Sequence, residues 1–256
     1  LESIVLDIGN SRLKWASLSS QGGLSSTGYL PLNQPESWTA ALGDAGIQPG
    51  STRWWISSVN PPVANQFEQL LKHRKERAAW FHSAADVPIP HRLTEPKRAG
   101  ADRALAVLAA IHRHGGRGPG HVIACGTAIT VEAIDAGGVW LGGAIAPGLA
   151  VNAHALRDRT AQLPAVVPTT PPRPYGATTE PAIAAGIFWG AVGAIRELID
   201  RQAEFLETDG SWIAWTGGDV AKFAPWVEGP GALILPNLVL EGLALLALNS
   251  GSESPD

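Results

Sequence analysis

The residues best suited to chemistry stand in two short turns, each at the end of a buried apolar strand. In the first, IVLDIGNSRLKWASL, the turn is Asp7-Ile8-Gly9-Asn10-Ser11, and in the second, HVIACGTAITVEAI, it is Ala124-Cys125-Gly126-Thr127-Ala128. Gly9 aligns with Gly126, an amide or hydroxyl side chain follows each glycine, and a second apolar segment leaves each turn. Glycine lets the backbone approach a ligand closely, and Asn, Ser and Thr beside it add side-chain donors to the backbone N–H groups, so such a turn can cradle a phosphate. Either turn alone reads better as an ordinary glycine hairpin. Their repetition, one opening each half of the chain, points to a duplicated fold that grips a polyphosphate between its halves.

The elements that must position these turns follow from hydrophobic period. Residues 3–8 and 12–18 read as antiparallel strands joined through Gly9, with a further extended stretch to Leu32 and a short helix over 37–42. A strand at 53–59 ends at Asn60-Pro61-Pro62, a helix runs over 63–77, and Trp80-Phe81 begins another strand. Residues 84–100, with three prolines and no period, form a long loop of the kind that carries function. It ends in Gly100-Ala101-Asp102-Arg103, and ALAVLAAIHRH then reads as a helix stopped by Gly115-Gly116. RGPG at 117–120 is the expected boundary between halves 1–117 and 118–256. The second half restarts with three strands through Ile145. A helix over 149–157 and a proline-rich loop over 164–174 follow. A long helix then starts at Thr178 or Thr179, with glycines at 186, 190 and 193 that admit a close-packed partner backbone. A strand at 211–215, the turn Thr216-Gly217-Gly218-Asp219, a closing helix at 236–248 and a disordered SGSESPD tail complete the chain.

Bulk properties exclude several functions. A length of 256 residues is enough for one large or two small cores, and 45% hydrophobic with 16% charged residues is ordinary for a soluble protein. The net charge of -4 offers no general attraction to nucleic acid or anionic lipid. LKHRKER at 71–77 reads as the wet end of a surface helix. Cys125 is the only cysteine, which rules out an intramolecular disulfide or a cysteine zinc cluster and fits a cytoplasmic location. At the end of an apolar strand it is a small buried residue rather than a thiolate nucleophile. No leader pattern and no apolar span long enough to cross a membrane is expected. The chain holds no methionine, even at position 1, which implies a processed or replaced start.

Seven landmarks in order, DIGNSRLKW, SSVNP, GADR, GTAIT, GGAIAPG, TGGD and PNLVLEGL, resemble the type III pantothenate kinases, also called the Bvg accessory factor family. They belong to the acetate and sugar kinase, Hsc70 and actin superfamily, so the resemblance implies an α/β fold made of two ribonuclease H-like, actin-like halves, each a mixed sheet flanked by helices. It also implies ATP-dependent phosphorylation of the primary hydroxyl of pantothenate, the first step towards coenzyme A, by a cytoplasmic homodimer using Mg2+ and a monovalent cation, K+ or NH4+. Phosphoryl transfer needs phosphate donors, a metal to offset charge and a carboxylate to take the hydroxyl proton. In the family the last role falls on the GxDR aspartate, here Asp102, which by itself reads equally as a helix-dipole acid. By the same analogy Gly100 and Arg103 border pantothenate, and Thr179 reaches the pantothenate site of the neighbouring subunit. Asp7 organises Mg2+. Gly9, Asn10, Ser11 and Lys14 lie along the phosphates, Gly126, Thr127 and Thr130 form the second phosphate turn, and Gly217, Gly218 and Asp219 border the nucleotide.

Two departures from the family pattern stand out. Ala124 occupies the position of the aspartate before GTA, and an alanine cannot hold a cation or its waters. Such a loss costs on the order of several kcal/mol of transition-state stabilisation. Leu93, Pro96 and Ala99 stand in the pantothenate loop, with Leu93 replacing the usual tyrosine. Glu132, where the family often has an aspartate, is either a partial substitute for the missing carboxylate or a tolerated acid. The leading expectation is a pantothenate kinase weakened at Ala124. The alternative is a catalytically degenerate relative that binds such ligands as a regulator, and a third reading changes the substrate to another small hydroxylated acid.

Overall fold

The computed structural model describes residues 2–19, 21–50, 52–116, 118–208, 210–228 and 232–250; the expected tail at 251–256 lies outside them. The chain forms two compact units, the first comprising Leu1–Ile89, Leu93–Arg113 and Asn237–Asp256, the second Pro90–Arg92 and His114–Pro236.

In the first unit β1 (Glu2–Ile8), β2 (Leu13–Leu18), β3 (Leu24–Leu30), β4 (Thr52–Ser58) and β5 (Arg77–Phe81) make one mixed sheet in the order β3-β2-β1-β4-β5. β1 runs antiparallel to β2 and parallel to β4. The alternation Ile4, Leu6, Ile8 sends one face of β1 into a core with Trp54 and Ile56 of β4, Trp38 and Leu42 of α1 (Trp38–Asp44), and Phe67 and Leu71 of α2 (Pro61–Arg74). Each large apolar side chain so buried contributes about 1.5–3 kcal/mol. α2 opens with the Asn60 side chain accepting the Val63 N–H at 3.4 Å and prolines at its first positions, where no intrahelical donor is needed.

α2 stops earlier than its polar sequence predicts, at Lys75, which takes a left-handed φ of 57°. The basic run is therefore not all wet. Arg74 and Glu76 turn inward as an ion pair with 5% and 0% side-chain exposure. Glu76 also accepts the Trp54 indole N–H at 3.0 Å and the Gly50 N–H at 3.2 Å, while Arg74 donates to Ile47 O at 2.9 Å. The strand expected to begin at Trp80 ends there instead, because this ion pair delivers the chain straight into β5.

α3 (Ala101–His114) and the closing α7 (Leu238–Ser250) belong largely to this unit. They touch closely: a side chain at Gly242 would collide with the Leu105 backbone, and Arg113 grips Glu241 with two bonds of 2.6 and 2.8 Å. The long loop before α3 contains two single 3-10 turns, Ala84–Asp86 and Pro96–Arg98, and is closed at its base by Ala84 N–H donating to Ala99 O at 2.8 Å.

The second unit repeats the plan. β6 (Gly120–Cys125), β7 (Ala128–Ile134), β8 (Trp140–Pro147) and β9 (Trp212–Thr216) form a sheet in the order β8-β7-β6-β9, antiparallel from β6 to β8 and parallel between β6 and β9. This matches β3-β2-β1-β4 strand for strand. Pro90–Arg92 extends the free edge, with Trp140 N–H donating to Pro90 O at 2.9 Å and Arg92 N–H to Trp140 O at 2.8 Å. α4 (Leu149–Arg159), α5 (Thr179–Phe205) and α6 (Val220–Val227) pack with the sheet, and the sequence reading did not anticipate α6. Contrary to that reading, α5 is long and apolar enough to cross a membrane by length and composition. Its buried residues, among them Ile183, Ile187, Phe188, Val192 and Ile195, belong to the core of this unit.

Candidate active site

Strand register places Asp7 in a row of polar side chains. Tyr29 on β3, Lys14 on β2, Asp7 on β1 and Ser57 on β4 are successive register partners, and partners in register project to the same sheet face. The turn beyond Asp7 is closed by Gly9 N–H donating to Arg12 O at 3.1 Å, leaving Asn10 and Ser11 exposed. Asp7 Oδ1 is shielded from solvent yet has no hydrogen-bond partner, and neither does the hydroxyl of Ser57, which faces it without completing a bond. Burial, and then the charge of Asp102, push the Asp7 carboxyl up to about 7 against the opposing pull of Ser57, Lys14 and Arg12. A buried carboxylate oxygen without a donor is an oxygen left for a cation.

Asp102 is near enough for its charge to act on Asp7, and Gly100 beside it abuts Val59, whose N–H donates to Ile8 O at 3.2 Å. Asp102 lies in the first turn of α3, half-buried, with Oδ1 accepting the Arg103 N–H at 2.9 Å. Below it, Gly100 leaves room that no other residue would: an added Cβ would collide with Asp102 Oδ1 and stand 3.0 Å from Val59 Cγ1. Gly100 is fixed in turn by an antiparallel bridge to Ser83. Arg103, Leu93, Pro96 and Ala99 are half-buried.

The second turn is built the same way within its own unit. Thr216, Ala124, Thr130 and Ile145 form the row matching Ser57, Asp7, Lys14 and Tyr29, so the alanine stands where the first row has its carboxylate. Gly126 N–H closes the turn onto Ala128 O at 3.0 Å, and Gly148 N–H donates to Thr127 O at 3.0 Å. The TGGD turn is sewn to the same place, with Asp219 N–H on Cys125 O at 3.0 Å. Gly217 has φ +104° and lies so close to the Cys125 backbone that a side chain would not fit. Gly218 is exposed, and Asp219 pairs with Lys222 at 2.8 Å.

The thiol of Cys125 is buried, and burial aided by the charge of Asp219 raises its pKa far above neutrality, so it is no nucleophile. Glu132 stands two residues beyond Thr130 on β7. It is 1% exposed, pairs in register with Val122 rather than Ala124, and accepts the Trp140 indole N–H at 3.0 Å. Thr179 lines an open apolar groove of about 730 Å3 along α5 with Ile183, Gly186 and Gly190, and the same groove is lined by Ile129, Ala146 and Pro147 of the strands that flank this turn.

Four neighbours of the expected residues escaped the sequence reading: Arg12, Tyr29, Ser57 and Thr216. Arg12 sits inside the first motif and Ser57 inside SSVNP, but only strand register shows that Ser57 and Tyr29 share the row of Asp7.

Comparison with known proteins identifies the family. The family model for type III pantothenate kinase matches residues 3–201. Type III pantothenate kinase of Acidiphilium cryptum is 40% identical over 222 residues, covering 83% of this chain and 79% of that protein. The enzyme of the same name from Chromobacterium violaceum is 35% identical over 249 residues, covering 95% and 98%. Among solved structures, a Baf family protein of Campylobacter jejuni described as a transcriptional activator superposes with a TM-score of 0.65 at 18% identity, covering 98% of this chain and all of that one, and so shares the fold. With two sheets of one topology, a carboxylate pair beside the first turn and a family match across most of its length, the chain belongs to the type III pantothenate kinase family.

Proposed function

We propose that the protein phosphorylates the primary hydroxyl of pantothenate with ATP, opening coenzyme A synthesis. The observation that carries this is the coupled pair Asp7 and Asp102, set beside a glycine turn in a chain of this family. The hydroxyl oxygen attacks the γ-phosphorus while the bond from that phosphorus to the bridging oxygen of ADP breaks, and the hydroxyl proton passes to Asp102. The Arg103 amide orients that carboxylate through its bond to Oδ1. Arg103 and Gly100 border the acid substrate, Gly9, Asn10, Ser11 and Lys14 serve one phosphate turn, Gly126, Thr127 and Thr130 the other, and Gly217 and Gly218 border the nucleotide. The two units are the halves of the duplicated fold.

Asp7 is the residue fit to hold Mg2+. Its buried, unpartnered Oδ1 would supply a ligand to the metal. A bound Mg2+ would offset the charge that builds on the transferring group. Ala124 would offer a monovalent cation no carboxylate, and its register partners Thr130 and Thr216 are the hydroxyl residues that would serve one there. The groove along α5, with Thr179 in it and small residues exposed on it, is the face on which we place the second subunit of a homodimer. A lone buried cysteine suits a reducing cytoplasm.

The degenerate-regulator alternative is not favoured, because Asp7 and Asp102 remain as an interacting pair. A coupled ADP-release assay with ATP, Mg2+, K+ and pantothenate tests the proposal. Turnover that Asp102→Asn reduces by at least about 10³-fold is expected; nucleotide binding with no turnover would return the regulator to first place.

A further inference from the structure

Outside the residues assigned so far, the exposed side chain of Arg12 is the group whose placement asks for a ligand. Its backbone oxygen closes the first turn, its guanidinium carbon stands 5.3 Å from the ring centroid of Tyr29, and Lys14 Nζ stands 5.7 Å from the same centroid. Tyr29 is 55% exposed, so its ring is a surface platform rather than a core residue. Among the described residues the Arg12 side chain forms no ion pair or hydrogen bond, although its charge is felt at Asp7. Two cations therefore share one ring at the rim of a turn shaped for phosphate.

An exposed cation–π contact is weaker than a charge-assisted hydrogen bond to phosphate. Tyr29 can thus keep the long arginine extended toward the turn and still release it to an anion, which lowers the ordering cost when the anion arrives. The guanidinium fork matches two phosphate oxygens, whereas the ammonium of Lys14 offers a point charge. We infer that Arg12, parked on Tyr29, is an additional phosphate-binding residue of the nucleotide site and contacts the terminal phosphates of ATP alongside Lys14. Tyr29 is its positioning residue. The inference rests on the ATP-dependent kinase reading and names a contact within it.

The test is titration calorimetry of the full chain with Mg2+ and three probes, AMP, ADP and the non-hydrolysable β,γ-imido analogue of ATP, together with steady-state kinetics. Arg12→Ala should weaken the imido analogue about 10- to 100-fold, the range of a charge-assisted bond, and leave AMP and the KM for pantothenate unchanged. Arg12→Lys should recover part of the loss. Tyr29→Leu should weaken the analogue by a few-fold and add little in the Arg12→Ala background, since both act through one contact.

Unchanged analogue binding in Arg12→Ala with wild-type kinetics overturns the inference and leaves the kinase intact, as does an equal loss for AMP. If the unaltered chain binds the analogue but does not turn over pantothenate, the kinase reading fails while the Arg12 contact is still measured. If it binds no nucleotide, both fall.

Discussion

Gly100→Ala probes Asp102, the carboxylate proposed to take the hydroxyl proton, without replacing it. The backbone at Gly100 is not in the left-handed region, so the substitution brings no torsional strain and acts only through its methyl group. That methyl would overlap Asp102 Oδ1, with Val59 Cγ1 only 3.0 Å away on the other side, so the carboxylate is the group that yields. Relieving the overlap requires a shift on the order of 1 Å, and a misplacement of that size costs about 10²-fold in rate, or about 2.7 kcal/mol. The bond from the Arg103 N–H at 2.9 Å must lengthen or break with it. In the ADP-release assay kcat should fall about 10²-fold with a much smaller change in the KM for ATP. Gly43→Ala is the matched control, because it too lacks a positive φ and meets nothing within 4 Å. A Gly100→Ala protein with wild-type kcat would refute the reasoning, since it would mean that Asp102 need not hold its observed position.

Three further outcomes follow from the same structure. Ala124→Asp puts a carboxylate between Thr130 and Thr216 and should raise kcat/KM about ten- to hundredfold while lowering the Mg2+ concentration for half-maximal rate; an unchanged or slower enzyme would show that the second turn works without charge. Glu76→Ala strands Arg74 inside the first unit and should cost about 3–5 kcal/mol, or a fall in Tm of roughly 6–20 °C by calorimetry. Replacing both Arg74 and Glu76 by Met and Leu should recover only part of it, because Trp54 and Gly50 lose their acceptor as well. His121 is fully buried, with Nδ1 bonded to Ser211 at 3.0 Å and Nε2 unpartnered, and burial lowers its pKa from 6.5. The unfolded chain then binds the extra proton first, so the stability it contributes is full above about pH 6.5 and is lost as pH falls toward the folded value. Tm should decline less steeply from pH 7 to 5 in His121→Asn than in the unaltered protein, and parallel curves would exclude the effect.

What could be read in the sequence was local. Ile4, Leu6 and Ile8 alternate, Gly9 and Gly126 each follow such a strand, and from these the duplicated turns could be placed. What could not be read depends on pairings between distant segments. Ser57 stands beside Asp7 only because β4 crosses over to run parallel to β1, and Tyr29 joins the row only through the register of β3. Arg74 and Glu76 look like solvated helix residues until Trp54 and Ile47 are known to face them. α6 is not legible in the sequence because Pro225, which has no N–H to give to the helix, interrupts its pattern. Pro90–Arg92 and the closing helix leave their sequence neighbours for the other unit, which no periodicity encodes.

Comparing the two rows explains why the halves of a duplicated fold are not interchangeable. The first row reads Tyr29, Lys14, Asp7, Ser57 and adds Asp102 from α3, so it carries the charged groups that the proposed reaction calls for. The second reads Ile145, Thr130, Ala124, Thr216 and offers hydroxyls and backbone N–H groups without charge. Glu132, on β7 two residues from Thr130, is bonded to Trp140, whose backbone holds Pro90 and Arg92 on either side. Releasing it to a cation would break its bond to a fully buried indole, at a cost of about 1–3 kcal/mol. The two halves therefore share strand order and register while the charged side chains stand in one row, and Ala124 is the position at which a carboxylate would match Asp7.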